Sequence, residues 1–182
     1  MVRSTSSIFI LCSVLSSALG CDWFTRYSDL RNSSRVLIEV MGGEFTHEEC
    51  HEPFPSKRYS SMRESEVQSQ LIFIRDSMKQ IFDLFRYSNV SSASWDPVKF
   101  QDFLETINRQ IQELNNCISN PDQQARRGVK KYFRNLKVVT LSRTGESRTS
   151  WEILRKETKL HLDQLEILGN QAKDKMLTGG AK

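Results

Sequence analysis

The sequence predicts an all-α protein, and three observations predict this class. Apolar residues recur at spacings of three and four in five separate segments, and no segment alternates apolar and polar residues as a half-buried strand does. Only eight Gly and four Pro occur in 182 residues, which is few for a turn-rich β protein. We therefore expect one domain of five amphipathic helices, which at this size buries about 70% of its unfolded surface.

Residues 1–20 have the pattern of a secretion signal. Arg3 gives a basic start, an apolar run extends from Ile8 to Leu15, and Ala18 and Gly20 stand at the −3 and −1 positions of a cleavage site. The run is shorter than the about 20 apolar residues that a membrane-spanning helix needs, and no later segment reaches that length. We expect a secreted, extracellular chain that begins at Cys21 and does not insert into a membrane.

The first two predicted helices each carry one apolar stripe. In the first helix the stripe runs up to Gly42-Gly43, and these glycines end the helix. Its members are Trp23, Tyr27, Leu30, Ser34, Leu37 and Met41. The second helix has a broader stripe, which predicts burial against several neighbours. Its members are Val67, Leu71, Ile74, Met78, Ile81 and Phe85, widened by Ile72, Phe73 and Phe82.

The third helix has the clearest start signal. Asp96 is a capping residue, Pro97 suits the first helical position, and Trp95 and Phe100 stand at the two positions of a hydrophobic staple. Asn120-Pro121 ends this helix. The apolar stripe consists of Phe100, Phe103, Ile107, Ile111, Leu114 and Ile118.

The fourth helix has an apolar face and a basic face. The apolar face consists of Val129, Tyr132, Phe133, Leu136 and Val139, and the basic face of Arg126, Arg127, Lys130, Lys131, Arg134 and Lys137. The basic face is either a solvated surface or a docking surface for an acidic receptor or a sulfated glycan. Because no aromatic residue lies on the basic face itself, we do not expect nucleic-acid binding.

The fifth helix begins at Thr149-Ser150-Trp151-Glu152, which matches a capping box. It continues through Leu154, Leu162, Leu165 and Leu168. After Leu168 the composition turns to Gly, Lys and Ala. We therefore expect the domain to span residues 21–168 and residues 169–182 to form a flexible basic tail.

Loop lengths constrain how the helices are connected. About 20 residues separate the first two helices, whereas a short polar turn near Ser88–Ser94 joins the second and third. A long crossover followed by a short return is typical of cytokine-type helical bundles rather than of simple up-and-down bundles. The predicted fold is thus a five-helix cytokine bundle with a long first crossover loop.

One motif of catalytic type occurs, at His47-Glu48-Glu49-Cys50-His51. It matches H-E-x-x-H, in which a helix presents two histidines to zinc and a glutamate to the attacking water. That geometry needs a helix through all five residues, but Gly42-Gly43 precedes the motif and Pro53 and Pro55 follow it. We therefore interpret the segment as a polar loop and expect no enzyme, metal or cofactor, with a secreted zinc hydrolase as the alternative.

Cysteines and sequons fit the extracellular prediction. Cys21, Cys50 and Cys117 remain after cleavage, and they allow three different single bridges among which the spacing does not choose. Two N-glycosylation sequons begin at Asn32 and Asn89.

Several separated motifs resemble those of fish type I interferons, over about residues 21–168. The most specific is Trp151-Glu152-Ile153-Leu154-Arg155-Lys156-Glu157, which resembles the interferon signature on the last helix. The others, in chain order, are Cys21-Asp22-Trp23, Phe54-Pro55 with Tyr59, Ser94-Trp95-Asp96, Phe103-Leu104 through Asn108-Arg109-Gln110, Glu113-Leu114 to Cys117, and Tyr132-Phe133.

The resemblance implies a secreted antiviral cytokine. Such a protein acts as a monomer that bridges two class II cytokine receptor chains and activates JAK-STAT signalling, and it needs no active site. Another helical cytokine with a different receptor is the remaining alternative to the interferon and the zinc hydrolase.

The resemblance also assigns residues. It implies a Cys21–Cys117 disulfide. Many relatives have a cysteine where this chain has Thr149, so Cys50 is expected to be unpaired. Receptor contact carries over to Arg155 on the outer face of the last helix. We expect its neighbours Lys156 and Lys159 to contribute, flanked by Phe54 and Tyr59 of the long loop; a solvated helix face is the alternative.

Overall fold

The computed structural model describes residues 21, 23–26, 28–120, 128–142 and 145–179. Its α-helices are α1 Trp23–Arg26, α2 Ser28–Val40, α3 Ser56–Arg63, α4 Val67–Arg86, α5 Pro97–Cys117, α6 Gly128–Lys137 and α7 Arg148–Gly179. A 3₁₀ turn at Val90–Ala93 precedes α5, and a π-helical turn at Val138–Ser142 continues α6. These residues include no strand, so the all-α prediction is confirmed. None of these helices is long and apolar enough to cross a membrane.

Helices α2, α4, α5 and α7 form a four-helix bundle in which α2 and α5 are antiparallel. At one end, the Cys21–Cys117 disulfide joins the chain just before α1 to the last residue of α5. At the other end, the backbone N–H of Asp96 donates to the carbonyl of Met41, with an N–O distance of 2.8 Å. The disulfide therefore attaches the N-terminal segment to the bundle, with the pairing that the resemblance implies.

The remaining helix directions follow from contacts at the two ends of the bundle. Gln68, near the start of α4, donates to the Cys117 carbonyl at the end of α5, with an N–O distance of 3.3 Å. The Phe85 ring, at the end of α4, lies 6.4 Å from the Trp151 ring at the start of α7. Hence α2 and α4 run one way and α5 and α7 the other. This arrangement requires the long first crossover that the loop lengths predicted.

The long crossover contains helix α3, where the sequence pattern predicts a loop. Only Tyr59 of α3 is buried, and the helix has eight residues, too few to show an apolar repeat. Tyr59 contacts Phe73 of α4 edge to face, with ring centroids 5.4 Å apart. The helix is stabilised by this packing rather than by its own pattern.

The start of α5 confirms the predicted cap. The Asp96 carboxylate accepts hydrogen bonds from the backbone N–H groups of Val98 and Lys99, at 3.0 and 3.1 Å. The rings of Trp95 and Phe100 lie 5.7 Å apart, as a hydrophobic staple requires.

The two ends of α7 differ from the prediction. The helix begins at Arg148, and the Ser147 hydroxyl, not that of Thr149, accepts from the backbone N–H of Ser150. At its other end α7 continues to Gly179, so the expectation of a flexible tail after Leu168 is wrong for residues 169–179. Ala172 is fully buried and Lys175 donates to the carbonyls of Arg63 and Ser65, so tertiary contacts extend the helix.

An aromatic cluster fills the core at the α4–α5 turn. Phe85 lies at its centre, with ring centroids 5.7 to 6.4 Å from those of Trp95, Phe100, Phe103 and Trp151. These side chains come from α4, the segment before α5, α5 itself and α7, so the cluster fixes the positions of three long helices.

Candidate functional site

The H-E-x-x-H motif lies in an irregular segment between α2 and α3. His47, Glu48 and His51 are exposed, and no helix places the two imidazoles on one face. Within the described ranges, no three His, Cys, Asp or Glu side chains are grouped so that they could hold a metal ion. The zinc-hydrolase alternative therefore lacks the geometry on which it depends.

Cys50, inside this motif, has a free thiol and is half-buried. Burial raises the pKa of the Cys50 thiol, with smaller opposing and reinforcing contributions from the Glu52 backbone and neighbouring carboxylates. A raised pKa lowers the thiolate fraction and hence the reactivity of the sulfur. The expectation that Cys50 is unpaired is confirmed.

Arg155 does not lie on the outer face of the last helix, so its predicted placement is wrong. The side chain is fully buried between α7 and the end of α2. Its Nη1 donates to the carbonyls of Ile38 and Glu39 at 3.0 and 2.9 Å, and its Nη2 donates to the Gly43 carbonyl at 2.6 Å. These carbonyls belong to the last turn of α2 and the loop that follows, where no helical N–H is available to them.

Glu152 and Phe45 complete the surroundings of Arg155. One Glu152 oxygen accepts from Arg155 Nε at 2.9 Å, while the other accepts from the indole N–H of Trp95 at 2.6 Å. The guanidinium carbon lies 4.1 Å from the centre of the Phe45 ring, within the range of a cation–π contact. Arg155 thus joins α7, the end of α2 and the start of the crossover, and every part of its guanidinium is used inside the protein.

Tyr59 is also buried rather than available for direct contact. Its hydroxyl lies 2.7 Å from Nδ1 of His161 on α7. The Phe54 ring stacks on Tyr59 with centroids 5.5 Å apart, and Phe54, Tyr132 and Phe133 surround His161 at 4.7 to 5.1 Å. Burial lowers the pKa of His161 to about 3, so the imidazole is neutral at neutral pH. These contacts hold α3 against α7.

Lys156 and Lys159, the two lysines predicted to contact a receptor, both form ion pairs with carboxylates. Lys159 Nζ lies 2.7 Å from Asp163 and 2.9 Å from Glu39. Burial alone would lower the pKa of Lys159, but its hydrogen bonds to Asp163 and Glu39 outweigh burial and raise it. Lys156 is more open, and its Nζ lies 3.4 Å from exposed Glu49.

Between α3 and α7 lies an open groove with a volume of about 400 Å³. We call it the α3–α7 groove, and it is lined by Phe54, Ser56, Ser60, Arg63, Leu160, Asp163 and Gln164. Leu160 is 42% exposed although it is a large apolar residue. The groove therefore combines apolar surface from Phe54 and Leu160 with polar groups on both sides, as binding sites commonly do.

Of the residues that line this groove, Phe54 is predicted from the sequence and the others are not. On α7, Leu160, Asp163 and Gln164 are spaced by three and four, so they lie on one helix face. Leu160 is an apolar residue on a mostly polar face of α7, and this pattern in the sequence could have indicated an exposed apolar contact. Arg63 belongs to α3, and its Nη2 donates to Gln164 Oε1 at 2.6 Å.

The remaining predicted sites are on the surface. Asn32 and Asn89 are both exposed, and the Asn89 side-chain oxygen accepts from the backbone N–H of Ser91 at 3.1 Å. Their glycosylation stays a prediction. On the basic face, Lys130, Lys131 and Arg134 are exposed and Lys137 is half-buried, while Arg126 and Arg127 lie outside the described residues.

Comparisons with known proteins agree with this fold. Residues 30–172 match the family model described as the interferon alpha/beta domain. Interferon a3 of Oncorhynchus mykiss is 36% identical over 172 residues, covering 93% of this chain and 97% of the relative. Human interferon alpha-7 is 25% identical over 175 residues, covering 86% and 90%. The solved structure of zebrafish interferon 1 is similar with a TM-score of 0.73 and 29% identity, covering 84% of this chain and 99% of that structure.

Proposed function

The chain belongs to the interferon alpha/beta family, and on that basis we propose how this type I interferon acts. It is secreted after removal of residues 1–20 and binds two class II cytokine receptor chains at once. Holding the receptor chains together activates JAK-STAT signalling and an antiviral response. Interferon-family proteins are non-enzymatic signalling proteins, so function rests on binding geometry rather than on bond chemistry.

The α3–α7 groove supports the proposal of one receptor-binding site. Phe54 and Leu160 supply its apolar lining, and the lining residue Asp163 forms an ion pair with Arg35, with 2.7 Å between Nε and Oδ1. Energetically important contacts in interfaces centre on an anchor that enters such a pocket, surrounded by polar groups that exclude water. We therefore place the first receptor contact at this groove.

The residues predicted from the resemblance keep a role in this site, but a different one. Phe54 lines the groove, and Lys156 and Lys159 lie on α7 near its edge. Tyr59 and Arg155 act as positioning residues: Tyr59 holds α3 through His161, and Arg155 holds the start of the crossover. A pre-organised loop loses less conformational entropy on binding, which raises affinity.

The direct test measures binding of each purified receptor chain to the mature protein by surface plasmon resonance. Leu160→Asp is expected to raise the Kd for one receptor chain at least about tenfold, because it puts a charge on the apolar lining of the α3–α7 groove. The Kd for the second chain should stay unchanged. A parallel measurement of STAT phosphorylation in cells should show the same loss of potency.

Val98→Asp is the matched control. Val98 is 67% exposed near the start of α5 and does not line the groove, so the same substitution adds the same charge at another surface position. Equal Kd values for Leu160→Asp and the unmodified protein, or equal losses in both variants, would remove the groove from the proposal.

A further inference from the structure

Cations from two helices form one surface stripe. We call it the basic stripe, and its members are Arg58, Lys130, Lys131, Arg134 and Lys137. On α6, Lys131, Arg134 and Lys137 follow one another at steps of three, so they lie along one side of the helix. At 1.5 Å per residue, Lys130 to Lys137 spans about 10 Å along the helix axis.

Arg58 joins the stripe through a contact that the sequence does not show. Its guanidinium lies directly against the backbone of Gly128, in the space that any side chain at position 128 would occupy. Gly128 is one helical turn from Lys131. The glycine thus allows a cation of α3 to extend the row of cations on α6.

Among the described residues, acidic groups lie at the borders of the stripe. Asp83 lies near Lys130 on the side of α4, and Glu52 accepts from Asn135 on the other side, with an N–O distance of 3.4 Å. In the described part of the chain, the ion pairs do not include Arg58, Lys131, Arg134 or Lys137. The stripe therefore presents a net positive potential to solvent.

We propose that the basic stripe binds a linear sulfated polysaccharide of the cell surface or extracellular matrix. Protein interfaces are depleted in Lys and enriched in aromatic anchors, whereas three of the five stripe residues are Lys and the exposed apolar neighbour at its end, Val138, is not aromatic. The aromatic residues of α6, Tyr132 and Phe133, are buried on the opposite face, so bases have no stacking surface. A flexible polyanion needs neither an apolar anchor nor an aromatic stacking surface.

The stripe and the α3–α7 groove lie on different sides of α3. Ser56, Ser60 and Arg63, which line the groove, are spaced by four and three and share one side of the helix. Arg58 is about 160° away from the Ser60 position around the helix axis, at about 100° per residue. A polysaccharide on the stripe therefore leaves the groove open, and the protein can be retained at a surface without blocking that face.

The test uses the mature, disulfide-bonded protein and immobilised heparin, with binding measured at several NaCl concentrations. The double variant Lys131→Gln/Arg134→Gln is compared with Arg109→Gln/Lys173→Gln, which removes two cations from α5 and α7 and gives the same net charge. We expect the stripe variant to bind heparin about 25-fold more weakly at 0.15 M NaCl, at about fivefold per cation. The control variant should lose less than about threefold, because its cations act only through screened long-range fields.

Two competitors distinguish the sources of negative charge. Soluble heparin should displace the protein, whereas de-sulfated heparin and poly-glutamate at equal charge concentration should not. Equal losses in the two double variants would show non-specific attraction and overturn the proposal. Displacement by poly-glutamate as efficient as by heparin would also overturn it, in favour of an acidic protein partner. Unchanged circular dichroism of both variants verifies that the fold is intact.

Discussion

Replacing Arg155 by methionine should lower the free energy of unfolding by about 3–5 kcal/mol, the range observed when one partner of a buried ion pair is removed. Methionine keeps much of the aliphatic volume but removes the guanidinium. The change leaves three backbone carbonyls and one Glu152 oxygen without their donor. An unsatisfied buried acceptor costs about 1–3 kcal/mol, and the exposed position of Gly43 allows water to replace part of the loss.

The loss should be visible in both stability and local structure. For a domain of this size, 3–5 kcal/mol corresponds to a fall in Tm of about 6–20 °C, at roughly 2–4 °C per kcal/mol. Urea unfolding followed by circular dichroism gives the free energy, and tryptophan fluorescence reports on Trp95, which shares Glu152 with Arg155. Hydrogen exchange should accelerate first at the end of α2.

Lys156→Met is the control, because Lys156 is the next residue and carries the same charge on a partly exposed side chain paired with exposed Glu49. We expect that variant to lose less than about 1 kcal/mol, as for other surface ion pairs. If Arg155→Met also lost less than about 1 kcal/mol, Arg155 would behave as a surface residue, and the reasoning from its buried contacts would be refuted. Reduced receptor binding by folded Arg155→Met at full stability would restore the direct-contact role.

Three further outcomes are expected. Cys21→Ser/Cys117→Ser should lower the free energy of urea unfolding by up to about 4–5 kcal/mol, since the bridge closes a loop with a sequence separation of 96; an unchanged midpoint would contradict this. The pKa of His161 is about 3 in the folded protein and near 6.5 unfolded, so stability should fall by up to about 1.4 kcal/mol per pH unit as pH decreases below 6.5. His161→Gln should remove this slope, which parallel urea titrations at pH 7 and pH 4.5 would detect. Cys50 should be the single thiol that reacts with a disulfide reagent, slowly when native and rapidly in urea.

Much of the fold follows from local patterns. The stripes of the second and third predicted helices correspond to α4 and α5, and the Asp96-Pro97 start signal is seen as a cap with two backbone hydrogen bonds. Helical periodicity and capping depend on residues within one or two turns, so they can be read without a partner. Helix α3 could not be read in this way, because its stability comes from the contact of Tyr59 with α4 and α7.

The site was only partly predictable, for a related reason. Phe54 was identified, but Arg155, Tyr59 and most of the Lys159 side chain proved to be used inside the protein. Polar residues on a helix usually face solvent, whereas Arg155 faces the carbonyl end of α2, which is itself polar. The exposed Leu160 shows the opposite error, since an apolar residue need not be buried.

The amino-acid sequence alone identifies the helical class, the crossover, the cysteines that can pair and the motifs that resemble interferons. These depend on spacing along one chain. The faces of α7 that meet solvent depend on tertiary packing, because this helix packs against α2, α3, α4 and the π-helical turn. With neighbours on so many sides, polar Arg155 and His161 are buried and hydrogen-bonded to groups distant in sequence, and the groove beside Leu160 stays open. Burial is a property of the assembled helices, not of one helix's pattern.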